Sequence, residues 1–386
     1  MKILVSDPIT ESGMAVLNEA KFEVVNLPKG TPEEKADACK DVHGWIIRSG
    51  TKITEDMIAS AENLQAIGRA GVGVDNIDIP AATRRGIVVM NTPDVNTISA
   101  AEHTVAMMLT LSRNISVGDR GMKSGEWNRH ALVGTELRNK TLGIVGMGKI
   151  GREVMSRCRS FGMKILGYDP YMNQDMFNPE EVNIVDLDTL TTQSNFITVH
   201  VPLTDSTRDL FDYDRLSSMK KTARIINVAR GGIINEIDLA QALTEGKIGG
   251  AAIDVFTTEP IETSNPLVKA PNIVLTPHLG ASTQEAKEGV SMAVCEQVRD
   301  YLIHEKLNNA LNMPISDLTK LKEIQINLDL AETMGKLQGQ LNPRAIKKVH
   351  VECAGTMDEA KPAALAFLKG LLNDRIPDRV NYINAE

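Results

Sequence analysis

Three residues in the second half of the chain are of types that can move a proton and grip a carboxylate. They are Arg230 in Asn227-Val-Ala-Arg-Gly-Gly232, Glu259 in Phe256-Thr-Thr-Glu-Pro260 and His278 in Thr276-Pro-His-Leu-Gly-Ala-Ser-Thr283. Histidine exchanges protons near neutral pH, and a carboxylate beside it fixes its tautomer and stabilises its charged form. An arginine offers a planar fork to a carboxylate and polarises a carbonyl. Together they suit the oxidation of an alcohol, in which the hydroxyl proton goes to a base while a hydride leaves for a cofactor. Taken singly, each has a plain structural reading: a core histidine, a Glu-Pro strand end, an Arg-Gly-Gly turn. Each falls just after an expected strand, on the edge where open α/β sheets bind ligands, and that favours the chemical reading.

A hydride needs an acceptor, and the strongest signal in the chain supplies a site for one. Thr141-Leu-Gly-Ile-Val-Gly146-Met-Gly148-Lys149-Ile150-Gly151 runs an apolar strand into Gly-x-Gly-x-x-Gly, with a helix expected from Arg152 to Phe161. Gly146 permits the tight turn, Gly148 the approach of a pyrophosphate, and Gly151 close helix–strand packing. Free N–H groups at the helix N-terminus would hold the phosphates. A second apolar run, Lys164–Tyr168, ends in Asp169, placed to accept hydrogen bonds from the adenosine ribose. Pro170, Tyr171 and Met172 follow it, with no basic residue for a 2′-phosphate, so NAD is expected rather than NADP.

The elements that must position these groups alternate. Strands are expected at Ile3–Ser6, Phe22–Asn26, Gly44–Ile47, Leu64–Ile67 and Ile87–Met90, with helices near Gly13–Ala20, Pro32–Cys39, Glu55–Ala61 and Ile79–Arg85. A long helix, Ser99 to about Arg113, leads to a second series: Leu142–Val145, Lys164–Tyr168, Phe196–Val201, Arg224–Val228, Ala251–Val255 and Ile273–Leu275. Such βα alternation implies mostly parallel sheets covered on both faces. The fold expected is α/β, with two doubly wound parallel-sheet lobes. Residues 1–97 and 285–314 form a discontinuous substrate-binding lobe, joined again by a helix from Gln284 to about His304, and residues 98–284 form a Rossmann dinucleotide lobe. Residues 315–386 make a small, incomplete α+β segment: a helix near Lys320–Gln340, a strand at Ile346–Glu352 and a helix near Lys361–Asn373. The apolar residues Leu365, Phe367, Leu368, Leu371 and Leu372 of the last helix call for a covering surface.

Composition excludes several classes. A net charge of −8 and 4% aromatics argue against a nucleic-acid partner, which needs a basic face and stacking platforms. Cys39, Cys158, Cys295 and Cys353 are far apart, so neither a zinc site nor a disulfide framework is expected. No uncharged run is long enough to span a bilayer and no signal-peptide pattern opens the chain, so the expected location is the cytoplasm, with no membrane partner and no metal.

Taken together, the glycine fingerprint, Asn-Val-Ala-Arg-Gly-Gly, Thr-Glu-Pro and Pro-His-Leu-Gly-Ala-Ser-Thr resemble the D-isomer-specific 2-hydroxyacid dehydrogenases, over residues 1–310. The resemblance implies that Arg230, Glu259 and His278 form the catalytic set. It implies NAD contacts from the fingerprint and Asp169, and from Val72, Val201, Pro202, Val228, Ala229, Asp254, His278, Gly280 and Ala281. Formate dehydrogenases of the same superfamily usually carry Gln where Glu259 stands, which argues against that branch.

Ile47-Arg48-Ser49-Gly50-Thr51 and Gly68-Arg69-Ala-Gly71-Val72-Gly-Val-Asp-Asn76 resemble the substrate loops of the branch that acts on 3-phosphoglycerate. Two arginines at successive strand ends suit a substrate bearing both a phosphate and a carboxylate. The implied reaction interconverts 3-phosphoglycerate and 3-phosphohydroxypyruvate, the first step of serine biosynthesis. Ser49, Gly50, Gly71 and Val72 would add backbone contacts. The rivals are another D-2-hydroxyacid dehydrogenase, such as a hydroxypyruvate or glyoxylate reductase, and a non-catalytic NAD-sensing protein of the same fold. The stretch Gly125–Thr135 resembles the loop that crosses the family's subunit interface. It implies a homodimer through the NAD-binding lobe, or a tetramer built on it, with Trp127 as anchor and Arg129 reaching a neighbour's substrate. The tail resembles the first half of a domain found in long members of that branch. In those members an amino-acid-binding module follows; without it, strong inhibition by serine is not expected.

Overall fold

The structure, a computed structural model, describes residues 1–312, 318–341, 346, 348–353 and 360–372. It divides into two compact units, Met1–Val95 with Lys287–Glu386, and Asn96–Ala286. The first opens with β1 (Lys2–Val5), α1 (Glu11–Glu19), β2 (Glu23–Asn26), α2 (Pro32–Ala38), β3 (Gly44–Ile47), α3 (Glu55–Ser60), β4 (Ala66–Arg69), α4 (Ile79–Arg84) and β5 (Val88–Asn91). These helices are short, so their ends matter. Thr10, Thr31, Thr54 and Asp78 each cap an N-terminus through the side chain, and Thr31 with Glu34 completes a capping box.

The first sheet is parallel, in the order β2-β1-β3-β4-β5. Successive side chains alternate between its faces. Ile3, Val5, Ile46 and Val88 enter one core, and Leu4, Trp45, Ile47, Ile67 and Val89 the other. The second unit follows in sequence. It comprises α5 (Thr97–Ser112), α6 (Ile115–Lys123), β6 (Thr141–Val145), α7 (Lys149–Ser160), β7 (Lys164–Tyr168), β8 (Asn183–Ile184), α8 (Leu187–Gln193), β9 (Phe196–Val199), α9 (Tyr213–Ser218), β10 (Arg224–Asn227), α10 (Glu236–Thr244), β11 (Gly250–Ile253) and β12 (Ile273–Leu275). Its sheet is also parallel, in the order β12-β11-β10-β9-β6-β7-β8. The chain then re-enters the first unit along α11 (Gln284–His304), whose Val290, Val294, Val298 and Leu302 complete the first core cluster.

The expected α/β architecture is present, with strand ends displaced by a residue or two and two elements added. The strand β8 is two residues long, too short for an alternation to register. Helix α6 buries none of its residues, and its apolar Ile115, Val117 and Met122 are exposed. The tail corrects one expectation. Among Ile346 and residues 348–352 no strand forms. What the tail does form is α12 (Leu318–Leu341) packed on α13 (Ala360–Leu372), burying Leu328, Ala363, Leu365, Ala366 and Leu371. Ala363 and Ala366 of α13 pack on Leu328 of α12, while Leu365, Leu368 and Leu372 form a separate cluster. Residues 313–317, which contain Ser316, and Asn373 lie outside the described residues.

Cys39, Cys158 and Cys295 are buried and Cys353 is half-buried. Burial pushes the Cys39 thiol up, and pushes Cys158 and Cys295 up to about 12. Among the described residues, no helix is long and apolar enough to cross a membrane, and no cluster of His, Cys, Asp or Glu could hold a metal ion.

Candidate active site

Strands β10, β11 and β12 are neighbours, so the loops that leave their carboxyl ends share one edge. Arg230 follows β10, Glu259 follows β11 and His278 follows β12. Asn227, buried at the end of β10, staples the first loop: its side chain accepts from Ala229 N at 2.9 Å and donates to Arg230 O at 2.8 Å. Gly231 brings this loop against the next, since a Cβ there would collide with the backbone of Phe256 and Thr257. Half-buried Arg230 donates from Nη1 to Ala229 O at 2.6 Å. Glu259 turns back to accept from Phe256 N at 3.0 Å through Oε1, and through Oε2 lies 2.7 Å from His278 Nδ1. Burial alone would raise the Glu259 pKa, but the bonds from His278 and the Phe256 N–H outweigh it and hold the carboxyl below its ordinary value. The arrangement is a base, a fixed anion behind it and a guanidinium two strands away, with the imidazole 43% exposed to a reacting group.

The His278 backbone is left-handed, at φ 54°, a conformation uncommon for a residue with a side chain. Asp254 holds it there. Its backbone carbonyl accepts from His278 N at 2.8 Å, Oδ1 accepts from Leu279 N at 2.8 Å, and Oδ2 accepts from Gly280 N at 2.9 Å. Thr276 Oγ1 donates to Oδ1 at 2.6 Å, and His103 Nε2, on α5, stands 3.1 Å from the same oxygen. The resemblance places Asp254 among the cofactor contacts, but its side chain is wholly buried and both its oxygens serve the loop. Burial would raise its pKa, yet the bonds from His103, Thr276 and Leu279 N prevail and keep it below the ordinary value.

The residues able to hold a dinucleotide lie at the centre of the same sheet. Strand β6 is flanked by β7 and β9, where the chain reverses its direction of winding, and such a switch point opens a crevice for ligands. Gly146 has φ 96°, and a Cβ there would sit 2.5 Å from His200 O. A Cβ on Gly148 would meet nothing within 4 Å, which leaves open space where α7 begins without a side-chain cap. Those features fit a pyrophosphate on uncapped helix amides. Asp169 ends β7, anchored by Met147 N to Oδ2 and Tyr171 N to Oδ1, each at 3.0 Å. Val201 and Pro202 follow β9; Val228, Ala229, Gly280 and Ala281 line the edge already described. His200 Nε2 pairs with Thr198 Oγ1 at 3.0 Å, and desolvation pushes its pKa down to about 3, so His200 stays neutral.

In the first unit, Arg48 follows β3 and Arg69 ends β4, beside Ile47 in the ladder. Asp7 Oδ2 accepts from Arg48 N at 2.6 Å, and Asn76 donates to Arg48 O at 2.7 Å. The Arg48 guanidinium finds no partner among the described residues. Gly71 lies against the Arg69 guanidinium, and Asn91 donates to Val72 O at 2.6 Å. The structure thus gathers Arg230, Glu259 and His278 on one sheet edge and Arg48, Arg69, Ser49, Gly50 and Gly71 on another. Arg129 lies in an exposed turn. Sequence reasoning missed His103, Asn227, Asp7 and Asn76. Only His103 left a trace, as a polar residue on the otherwise buried face of α5.

Comparison with known proteins agrees on one family. Residues 105–280 match the model of the D-isomer specific 2-hydroxyacid dehydrogenase NAD-binding domain, and residues 323–386 that of the D-3-phosphoglycerate dehydrogenase intervening domain. A D-3-phosphoglycerate dehydrogenase of Synechocystis sp. is 44% identical over the whole chain, which spans 70% of that relative. One from Methanocaldococcus jannaschii is 43% identical, again over the whole chain and 74% of the relative. Among solved structures, an NAD-dependent formate dehydrogenase from Staphylococcus aureus in complex with NAD superposes with a TM-score of 0.72 at 32% identity, covering 80% of this chain and 98% of its own.

Proposed function

This chain belongs to the D-3-phosphoglycerate dehydrogenase family of D-isomer-specific 2-hydroxyacid dehydrogenases, and from that premise we propose that it oxidises 3-phospho-D-glycerate to 3-phosphohydroxypyruvate with NAD, opening serine biosynthesis. The observation that carries the proposal is the 2.7 Å contact between His278 Nδ1 and Glu259 Oε2, on the strand edge that also holds Arg230. NAD, when bound, supplies the hydride acceptor. Gly146, Gly148, the first amides of α7 and Asp169 hold it.

The chain's own residues do the rest. With Nδ1 committed to Glu259, His278 takes the substrate hydroxyl proton at Nε2. The carboxylate then faces an imidazolium, which lowers the cost of the charge. Arg230 grips the substrate carboxylate and polarises the oxygen that becomes the carbonyl. Arg48, Arg69 and the amides of Ser49 and Val72 take the anionic ends. Glu259 separates this site from the formate dehydrogenase branch.

In this reading, residues 1–97 and 285–314 bind substrate, residues 98–284 bind NAD, and residues 315–386 form part of an intervening domain. The protein works as a cytoplasmic homodimer joined through the NAD-binding domain. Trp127 and Val133, 78% and 83% exposed on the linking loop, supply apolar surface for that contact. Steady-state NADH production from 3-phosphoglycerate, compared with glycerate and other 2-hydroxyacids, tests the assignment. A chain that turned over only the unphosphorylated acids would be a different dehydrogenase, and one that bound NAD without turnover would be a sensor.

A further inference from the structure

Behind the Arg48–Thr51 loop lies a buried ion pair that the reaction proposed above does not use. Asp7 and Lys35 have side chains only 4% and 10% exposed, with Nζ 3.8 Å from Oδ1. Lys35 stands on α2 between the exposed Glu33, Glu34 and Asp37, so it alone of that charged run is drawn inward. Burying a lysine is costly unless it is paired and hydrogen-bonded. Lys35 is both, since its Nζ also donates to Thr51 Oγ1 at 3.0 Å.

The pair grips a loop. Asp7 Oδ2 accepts from Arg48 N at 2.6 Å and from Thr51 N at 3.0 Å. Asn76 Nδ2 holds the carbonyls of the same two residues, at 2.7 and 2.5 Å. Thr51 Oγ1 lies 3.1 Å from Ser6 Oγ, which accepts from Trp45 Nε1 at 2.8 Å. A Cβ on Gly50 would stand 2.7 Å from Asp7 Oδ1, so the loop lies flush on the carboxylate only with glycine there. Both ends are thus tied down, while the N–H groups of Ser49 and Gly50 find no partner among the described residues. The loop also sits at the carboxyl ends of the paired strands β1 and β3, whose onward connections run to opposite sides in the order β2-β1-β3-β4-β5, the switch point at which open α/β sheets bind ligands.

An anion held by that loop would face a carboxylate directly behind it. We propose that Lys35 is a specificity-determining positioning residue whose ammonium cancels the charge of Asp7, so that the loop Asp7 shapes accepts an anionic group of the substrate. The inference rests on the assignment of Arg48–Thr51 to substrate binding. Asp7 supplies geometry at an electrostatic penalty, and Lys35 removes the penalty without touching the ligand.

Lys35→Met should raise KM for 3-phosphoglycerate roughly tenfold, as expected for one uncompensated charge near a bound anion. Its kcat should fall much less, and its NADH affinity, read by fluorescence, should not change. The double variant Lys35→Met/Asp7→Asn, neutral again behind the loop, should return KM to within about twofold of wild type. Asp7→Asn alone, which leaves the ammonium unopposed, should keep or lower KM. If Lys35→Met fails to fold, the Asp7→Asn and double variants decide. A double variant with a raised KM, or an Asp7→Asn that weakens binding, would overturn the inference and leave the pair a fixture of the fold. Wild-type turnover is read separately. Should the wild type reduce hydroxypyruvate but ignore 3-phosphoglycerate, the functional assignment fails, and the same KM ratios taken with hydroxypyruvate still judge Lys35.

Discussion

His278 Nδ1 is committed to Glu259 Oε2 at 2.7 Å while the His278 backbone is pinned in the left-handed region by Asp254, so one ring nitrogen is left for chemistry. His278→Ala should cost about 10²–10⁴-fold in kcat, the usual size of a general acid–base contribution. Glu259→Gln keeps the shape and loses the charge, so kcat should fall while the NADH dissociation constant stays within experimental error. Steady-state kinetics and NADH fluorescence on both variants check this. Wild-type turnover in either would place the proton transfer elsewhere.

Asp254 carries a pH signature. Its folded pKa is depressed, so the folded chain binds fewer protons there than the unfolded chain. The stability it contributes is therefore present above the unfolded carboxyl value, about 4, and is lost as pH falls through the lower folded value. Asp254→Asn should show a shallower loss of stability below about pH 4. At neutral pH, Asp254→Ala should destabilise by about 2–4 kcal/mol, because it leaves the Leu279 and Gly280 amides and His103 without their acceptor. Urea unfolding at several pH values measures both, and parallel curves for wild type and Asp254→Asn would refute the first.

Coenzyme choice should rest on Asp169. Its carboxylate is fixed by two backbone amides at the end of β7, ready to accept from a ribose and to repel a 2′-phosphate. Removing a charged hydrogen bond costs about 1.5–3 kcal/mol, so Asp169→Ala should raise KM for NAD by roughly 10- to 100-fold. The preference for NAD over NADP in kcat/KM should shrink with it. An unchanged ratio would show that another group reads the ribose.

Arg48→Ala and Arg69→Ala should each raise KM for the phosphorylated substrate roughly 10- to 100-fold. The effect on an unphosphorylated 2-oxoacid should be much smaller. Equal losses on both substrates would mean that these arginines read the carboxylate.

The tail should be dispensable for turnover. The formate dehydrogenase of Staphylococcus aureus is matched over 98% of its length by 80% of this chain, so that relative has no counterpart to about a fifth of this chain. A chain ended after Asn312, which still bonds to Val89 and Ile87, should fold and oxidise substrate at a rate close to the full chain. Loss of all activity on that truncation would assign the tail a part in the site.

Some of this was readable in advance because it is local. A strand, a glycine turn and a helix occupy adjacent residues, so Gly146 to Gly151 and the acid at Asp169 stand out. Arg230, Glu259 and His278 each follow a strand by a few positions, and parallel winding gathers such positions at one edge. The bonds that Asp254, His103, Lys35 and Asp7 make were not legible, because the partners lie far off in the chain. Lys35 in particular lies in a run of charges that reads as a solvated face, and only the folded sheet shows it turned inward. No strand forms at Ile346 or residues 348–352, and among the described residues of the tail no other strand offers an edge to pair with.

The burial of Cys39, Cys158 and Cys295 has a practical side. A thiol with a pKa near 12 is ionised in about one molecule in 10⁵ at pH 7, and the thiolate is the species that attacks electrophiles. Cys353, half-buried beside Ala360 at the foot of α13, is the remaining thiol. A maleimide dye added to the native chain should therefore settle at one address, on the helical pair rather than on either sheet. That gives a fluorescent label at a single position with no cysteine engineered in or out.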